Sequence, residues 1–587
     1  MTVRVLLVTF LVSAFGLLSK TNVVVFLTDD QGWGDLSLNG NTNLSTPNID
    51  SLARDGASFE RFYVCPVCSP TRAEFLTGRH HVRSGVYSTS AGGERMDLDE
   101  TTIADVFQKA GYTTGAFGKW HNGMQYPYHP LGRGFDYFYG FCSGHWGHYY
   151  DALMERNGKL VKGKGFCVDD FTTEAMSFIE RSVNKDKPFF AYVPYNTPHS
   201  PMQVPDRWWN KFKDQELEDL MRNRNPVRED RLHLLAALAM CENIDWNVGR
   251  LLNKLKDLKV ADDTIVVFFH DNGPNGTRWN GGMEGKKGST EEGGTRSPLL
   301  IKWPKGIKAG TEVKEISSVM DLLPTLSELA GIRSKVSKPL DGRSLKPLLD
   351  GMNQEWKPRS LISTWKGRVG VREQRFRMDH QGKLFDMIKD PCQRVDVSKK
   401  FPKSIKRMQK RVQNYRDKIE VELGEDDRPF LIGHPGVSWT QVPARDAVPN
   451  GEIKRSNKFP NCSYFLNWKN VEDFITWEVE VGKAGTYDVE LWYACPKKDL
   501  GTEIELSFNG EVLKSRITRE VNPTLLTGYD RKPRSEGYVK YFEPMKMGQI
   551  QLSSGKGQLK LQAVKIPGDQ AMEFRLIMFN RLDDKKS

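Results

Sequence analysis

Two short runs of unbroken apolar residues set the frame of this chain. Val23-Val24-Val25-Phe26-Leu27 closes on Thr28-Asp29-Asp30, and Ile265-Val266-Val267-Phe268-Phe269 closes on His270-Asp271-Asn272-Gly273. Such runs are too short for helices, and both of their alternating faces are apolar. They predict strands of a parallel sheet covered on both sides. Further runs at Thr113 to Phe117 and Phe189 to Val193, with amphipathic helical stretches such as Ala104 to Ala110 between, continue the pattern over residues 20–425. That alternation predicts an α/β fold with a mostly parallel central sheet covered by helices. In open sheets of this kind ligands bind at the carboxyl ends of the strands, where both acidic groups stand.

A basic helical segment, Lys403 to Lys418, leads to a change of texture near residue 430. Thr476 to Val481, Gly485 to Tyr493 and Glu503 to Phe508 alternate with a period of two, and Asn509-Gly510 follows the last. This predicts an antiparallel β-sandwich over 431–587. Its Trp and Tyr residues either stack on sugars or fill the core. The aromatic loop Gly144-His145-Trp146-Gly147-His148-Tyr149-Tyr150 has the same two readings, sugar subsite or packing.

At the amino terminus, Arg4 precedes Val5 to Val12, an apolar stretch of signal-peptide rather than membrane-spanning length. Residues 1–19 therefore read as an export signal, implying a secreted or periplasmic protein with no membrane span once the signal is removed. The net charge of +11 comes from 85 basic and 74 acidic residues without a Lys/Arg run. Nothing in it marks a nucleic-acid arm; the excess reads as a solvated surface or, more sharply, as suited to a polyanionic substrate. Eight cysteines are too few for a disulfide scaffold at this length. Cys462 and Cys495 are the candidates for pairing within one domain.

Candidate chemistry concentrates at Cys68-Ser69-Pro70-Thr71-Arg72, which runs into Leu76-Thr77-Gly78-Arg79. Cys65-Pro66-Val67-Cys68 also offers a redox or zinc pair, but zinc needs a second ligand pair, and none is evident. The C-x-P-S/T-R pattern with its L-T-G-R tail resembles the signature of formylglycine-dependent sulfatases of the alkaline phosphatase superfamily. That resemblance implies an alkaline-phosphatase-like catalytic domain with a small C-terminal subdomain, which Lys383 to Pro391 marks. It also implies a maturation enzyme that oxidises Cys68 to Cα-formylglycine, whose hydrate is the nucleophile, with Arg72 stabilising it.

Oxygen donors at two strand ends suit calcium or magnesium rather than zinc. By the resemblance, Asp29, Asp30, Asp271 and Asn272 ligate one such ion together with an oxygen of residue 68. Gly118-Lys119-Trp120-His121 resembles the family's G-K-W-H segment, although Asn122 replaces the Leu that follows. Two-residue spacing on an extended stretch points Lys119 and His121 to one face, for sulfate neutralisation and proton transfer. His199, in Pro198-His199-Ser200-Pro201, matches the residue that contacts the ester oxygen and protonates the leaving alcohol. Lys287 opens K-G-x-x-x-E-G-G-x-R-x-P as a sulfate-binding cation, with Lys286 as the one-residue alternative. The reading is a sulfatase acting on a sulfated glycan. Its rivals are a phosphate or phosphonate monoester hydrolase of the same superfamily, and a catalytically inactive secreted glycan-binding protein.

Overall fold

The computed structural model describes residues 20–333, 335–352 and 356–582, so the leader read at 1–19 lies outside it. An eleven-stranded sheet forms the centre. Asn22–Asp29 lies in its middle, flanked in parallel by Thr264–His270 on one side and Phe189–Pro198 on the other. Thr113–Lys119 and Tyr137–Phe141 continue in parallel, and Arg296–Lys302 pairs antiparallel with both its neighbours. Leu153–Arg156 and Lys159–Lys162 form an antiparallel edge, whereas Thr311–Val313 at the other edge pairs in parallel.

The unbroken apolar runs are explained by where alternate residues go. Val23, Val25 and Leu27 enter one core, with Ile103, Phe107 and Leu322. Val24 and Phe26 enter the core on the opposite face, with Phe171, Ile244 and Leu251. A strand buried on both sides has no polar face to show.

A four-stranded antiparallel sheet, Leu361–Trp365 to Leu384–Asp386, forms the subdomain. The helix Pro402–Lys418 packs on it through Met408. Beyond it, two six-stranded sheets face each other as a sandwich running from Phe430–Ile432 to Glu573–Arg581. Its pairings are antiparallel except that Phe430–Ile432 lies parallel to Phe474–Val481. The Asn509-Gly510 turn joins Glu503–Phe508 to Glu511–Arg516, with both turn residues at positive φ (47° and 92°). Those angles fit a type I′ hairpin.

Trp468, Trp477, Tyr487 and Tyr493 are buried between the sheets, so these aromatics are core. Trp146 also packs: its ring stacks on Phe141 at 5.0 Å, beneath the Arg575 guanidinium. Cys462 and Cys495 do not pair, and both are free thiols. The Cys462 Sγ donates to the His145 carbonyl at 3.0 Å, whereas Cys495 sits in the sandwich core near the Ala571 carbonyl. Among the described residues no helix is long and apolar enough to cross a membrane.

Candidate active site

Parallel pairing of Asn22–Asp29 with Thr264–His270 sets Thr28 opposite His270. The two acidic groups therefore leave the sheet side by side at its carboxyl edge. Asp30 turns at once into the left-handed region (φ 63°), and its amide donates to Asp271 Oδ1 at 3.1 Å. Asn272 Nδ2 donates to Asp30 Oδ1 at 2.8 Å. Cys68 begins the buried helix Cys68–Thr77, whose positive amino end faces this cluster. Thr71, one turn on, donates its hydroxyl to the Asp271 carbonyl at 2.5 Å and accepts from the Cys65 amide. Arg72 donates to Asp271 Oδ2 at 3.0 Å and to the Lys119 carbonyl at 2.8 Å. One nitrogen thus anchors the acidic strand end and another the Lys119 backbone, leaving the buried Nε without a hydrogen-bond partner.

Ligand atoms of Asp29, Cys68 and Asp271 lie within 4.8 Å of one another, as do those of Asp29, Asp30 and His199. Lys119 Nζ meets Asp29 Oδ2 at 2.6 Å, and Lys287 Nζ meets Asp30 Oδ1 at 2.6 Å. Burial opposes ionisation of both carboxylates, yet Lys119 beside Asp29 and Lys287 beside Asp30 hold them below the usual range. Asp271 behaves differently. Burial, and then the neighbouring Asp29 charge, push it up to about 7 despite Arg72.

Two buried oxygens, Asp29 Oδ1 and Asn272 Oδ1, have no hydrogen-bond partner. A hard divalent cation fits this donor set: it takes oxygen ligands, occupies orphaned lone pairs and offsets the carboxylate charge that Asp271 reveals. Asp29, Asp30, Asp271 and Asn272 are thus brought together with Cys68.

His199 Nδ1 contacts the Ser200 carbonyl at 2.6 Å, which assigns that nitrogen the proton and turns Nε2 toward Asp30, 3.6 Å away. Burial and the Lys287 charge lower the His199 pKa. His145 lies parallel to its ring at 5.8 Å (12° between planes). His121 reaches the cavity differently from the alternation expected. Lys119 ends its strand, and His121 sits at φ 67°, so a left-handed turn carries the ring inward. Its Nε2 donates to the Thr89 carbonyl at 2.9 Å, leaving a buried, unpartnered Nδ1. Asn122, the departure from the family pattern, contacts the Ser69 and Glu94 carbonyls and ties this turn to the cysteine helix. Of the two lysines, Lys287 contacts Asp30; Lys286 also lines the cavity.

An open cavity of about 630 Å³ adjoins this cluster. Cys68, His121, His145, His199 and Lys287 all line it. One wall was not anticipated from the sequence: Phe459, Asn461, Lys532 and Glu536 come from the sandwich. Nothing in those segments carries a motif, and their distance along the chain hides the contact.

The sulfatase family model matches residues 21–332, and the model for the N-sulphoglucosamine sulphohydrolase C-terminal region matches 286–418. N-acetylgalactosamine-6-sulfatase of Mus musculus is 33% identical over 378 residues, covering 57% of this chain and 68% of the mouse protein. The crystal structure of Ps i-CgsB in complex with k-i-k-neocarrahexaose superposes with a TM-score of 0.62 at 30% identity, covering 69% of this chain and 94% of that one. A phosphonate monoester hydrolase of Agrobacterium radiobacter shares the fold, with a TM-score of 0.53 at 21% identity over 68% of this chain and 96% of its own.

Proposed function

The chain belongs to the sulfatase family of sulfuric ester hydrolases, and from that premise we propose that it removes sulfate from a sulfated glycan. Cys68, oxidised to formylglycine by a maturation enzyme, is the nucleophilic position. Asp29, Asp30, Asp271 and Asn272 hold one calcium or magnesium ion. The observation that carries this reading is the convergence of Cys68, which lines an open cavity, with three buried carboxylates, two of them lysine-paired.

When bound, the cation supplies positive charge beside residue 68 and favours an ionised oxygen there. A formylglycine hydrate at position 68 would supply the hydroxyl nucleophile for sulfur and a second hydroxyl through which sulfate would be expelled. Lys119 and Lys287 present ammonium groups to the sulfate oxygens and spread the charge that develops. His199 directs Nε2 toward the ester oxygen, where its protonated form donates to the leaving alcohol. His121, with Nε2–H committed to Thr89, keeps Nδ1 as the base for the second hydroxyl. Arg72 and Thr71 act through Asp271, fixing its carboxylate and its backbone. Residues 1–19 support export on sequence grounds alone, and a sulfated carbohydrate agrees with the net charge of +11.

The decisive experiment combines the mass of the Cys68 peptide with sulfate release from 4-nitrophenyl sulfate and sulfated oligosaccharides. We expect an aldehyde at position 68 and activity that disappears in Cys68→Ala without loss of the thermal transition. Full activity in that variant would refute the reading. Sulfate and phosphonate esters of one alcohol, compared by kcat/KM, separate sulfatase from phosphonate hydrolase.

A further inference from the structure

The wall that the sandwich contributes to the cavity is firmly held. Leu526 and Val539 close a loop through a 2.9 Å backbone bond, and its tip lies against the catalytic unit. Arg531 donates its amide to the Met202 carbonyl at 2.8 Å and its guanidinium to Val204 at 2.7 Å. Gln203 donates to Asp530 at 2.8 Å, and Tyr529 packs edge-on against His148. Arg534 is buried in a pair with Asp530 and reaches the Gly147 carbonyl. Lys532 pairs with Asp230 at the rim. Glu536 accepts a hydrogen bond from the hydroxyl of Ser200, the residue after His199. The neighbouring sandwich loop places Phe459, 42% exposed, on the same cavity.

We propose that this arm is the sugar-recognition wall of the active site, with Glu536 accepting a hydroxyl of the sugar ring that carries the sulfate and Phe459 offering that ring an apolar face. An ionised carboxylate only accepts hydrogen bonds, so it selects neutral hydroxyl donors and repels a second sulfate. Although burial alone would raise its pKa, the Ser200 hydroxyl and the His199 ring hold Glu536 below the ordinary glutamate value, in keeping with that role. The sulfate itself has its own cations, Lys119 and Lys287, so the two ends of the substrate meet groups of opposite charge. The arm's own stays, Arg531 and Arg534, are engaged and need no substrate to fix them.

The proposal rests on the glycan-sulfatase reading, and the test separates the two. Matured wild type, Glu536→Gln and Phe459→Ala are assayed on 4-nitrophenyl sulfate, which carries no sugar, and on N-acetylgalactosamine 6-sulfate and k-i-k-neocarrahexaose. Gln keeps the size of Glu but loses the charge. A charged hydrogen bond is worth enough that the ratio of glycan to aryl kcat/KM should fall about 10-fold or more in Glu536→Gln, chiefly through KM. Phe459→Ala should shift the ratio the same way. An unchanged ratio in both variants, or a wild type that prefers the aryl ester to both glycans, overturns the proposal while leaving a sulfatase. No sulfate release from any ester by protein shown to carry the aldehyde overturns the parent reading and this one with it.

Discussion

Asp271 sits where the local charges fail to balance. Its partners Arg72 and Lys119 are shared with Asp29, and burial leaves it the carboxylate pushed upward. A divalent ion that binds only the folded protein stabilises it by mass action, about 2.7 kcal/mol at a hundredfold excess over Kd. A chelator should therefore lower Tm in wild type, and Asp271→Asn should lose both turnover and this response, read by differential scanning fluorimetry. Glu74 offers a separate test by pH. Burial raises its carboxyl from 4.5 to about 8, and the His81 amide contact only partly offsets this. An acid raised on folding contributes stability below its unfolded pKa and loses it as pH climbs toward the folded value. Stability should decline from pH 5 to 8, and Glu74→Gln should flatten that decline in urea titrations. At this scale the sequence was most legible: Cys68, Asp29, Asp30, Asp271, Lys119, His121, His199 and Lys287 announce themselves through short motifs. Glu536 does not, because a lone glutamate after Ser535 resembles any solvated residue.

Among elements, strands were easier to read than their order. An apolar run states that both faces are covered, but not that Asn22–Asp29 lies between segments drawn from far along the chain. The Cys462–Cys495 pair failed for the same reason, since spacing says nothing about which layer each thiol enters. Gly118 shows how tightly neighbouring strands are set. It lies at φ 132°, and a Cβ there would stand 2.1 Å from the Pro194 carbonyl oxygen. Gly118→Ala should displace Lys119 and the His121 turn, costing more than about 2 kcal/mol and most of the activity. Denaturant unfolding and kcat on one aryl sulfate would record both.

Across the whole molecule, the catalytic unit and the sandwich share buried ionic groups. Arg445 of the sandwich pairs with Glu94 of the catalytic unit, both with nearly inaccessible side chains. Removing one member of such a pair leaves a buried charge, at a cost of about 3–5 kcal/mol. Arg445→Met should lower stability by that order. Calorimetry of wild type should show one transition for both units; two separate peaks would contradict this coupling. Cys68 itself is only 3% exposed, beneath walls supplied by the final third of the polypeptide. A side chain this enclosed is open to a small ester but not to a macromolecule, so the proposed conversion of Cys68 would precede the closing of these walls. Maturation enzyme added to folded thiol-form protein should leave it inert, whereas the same enzyme present during translation should yield active product.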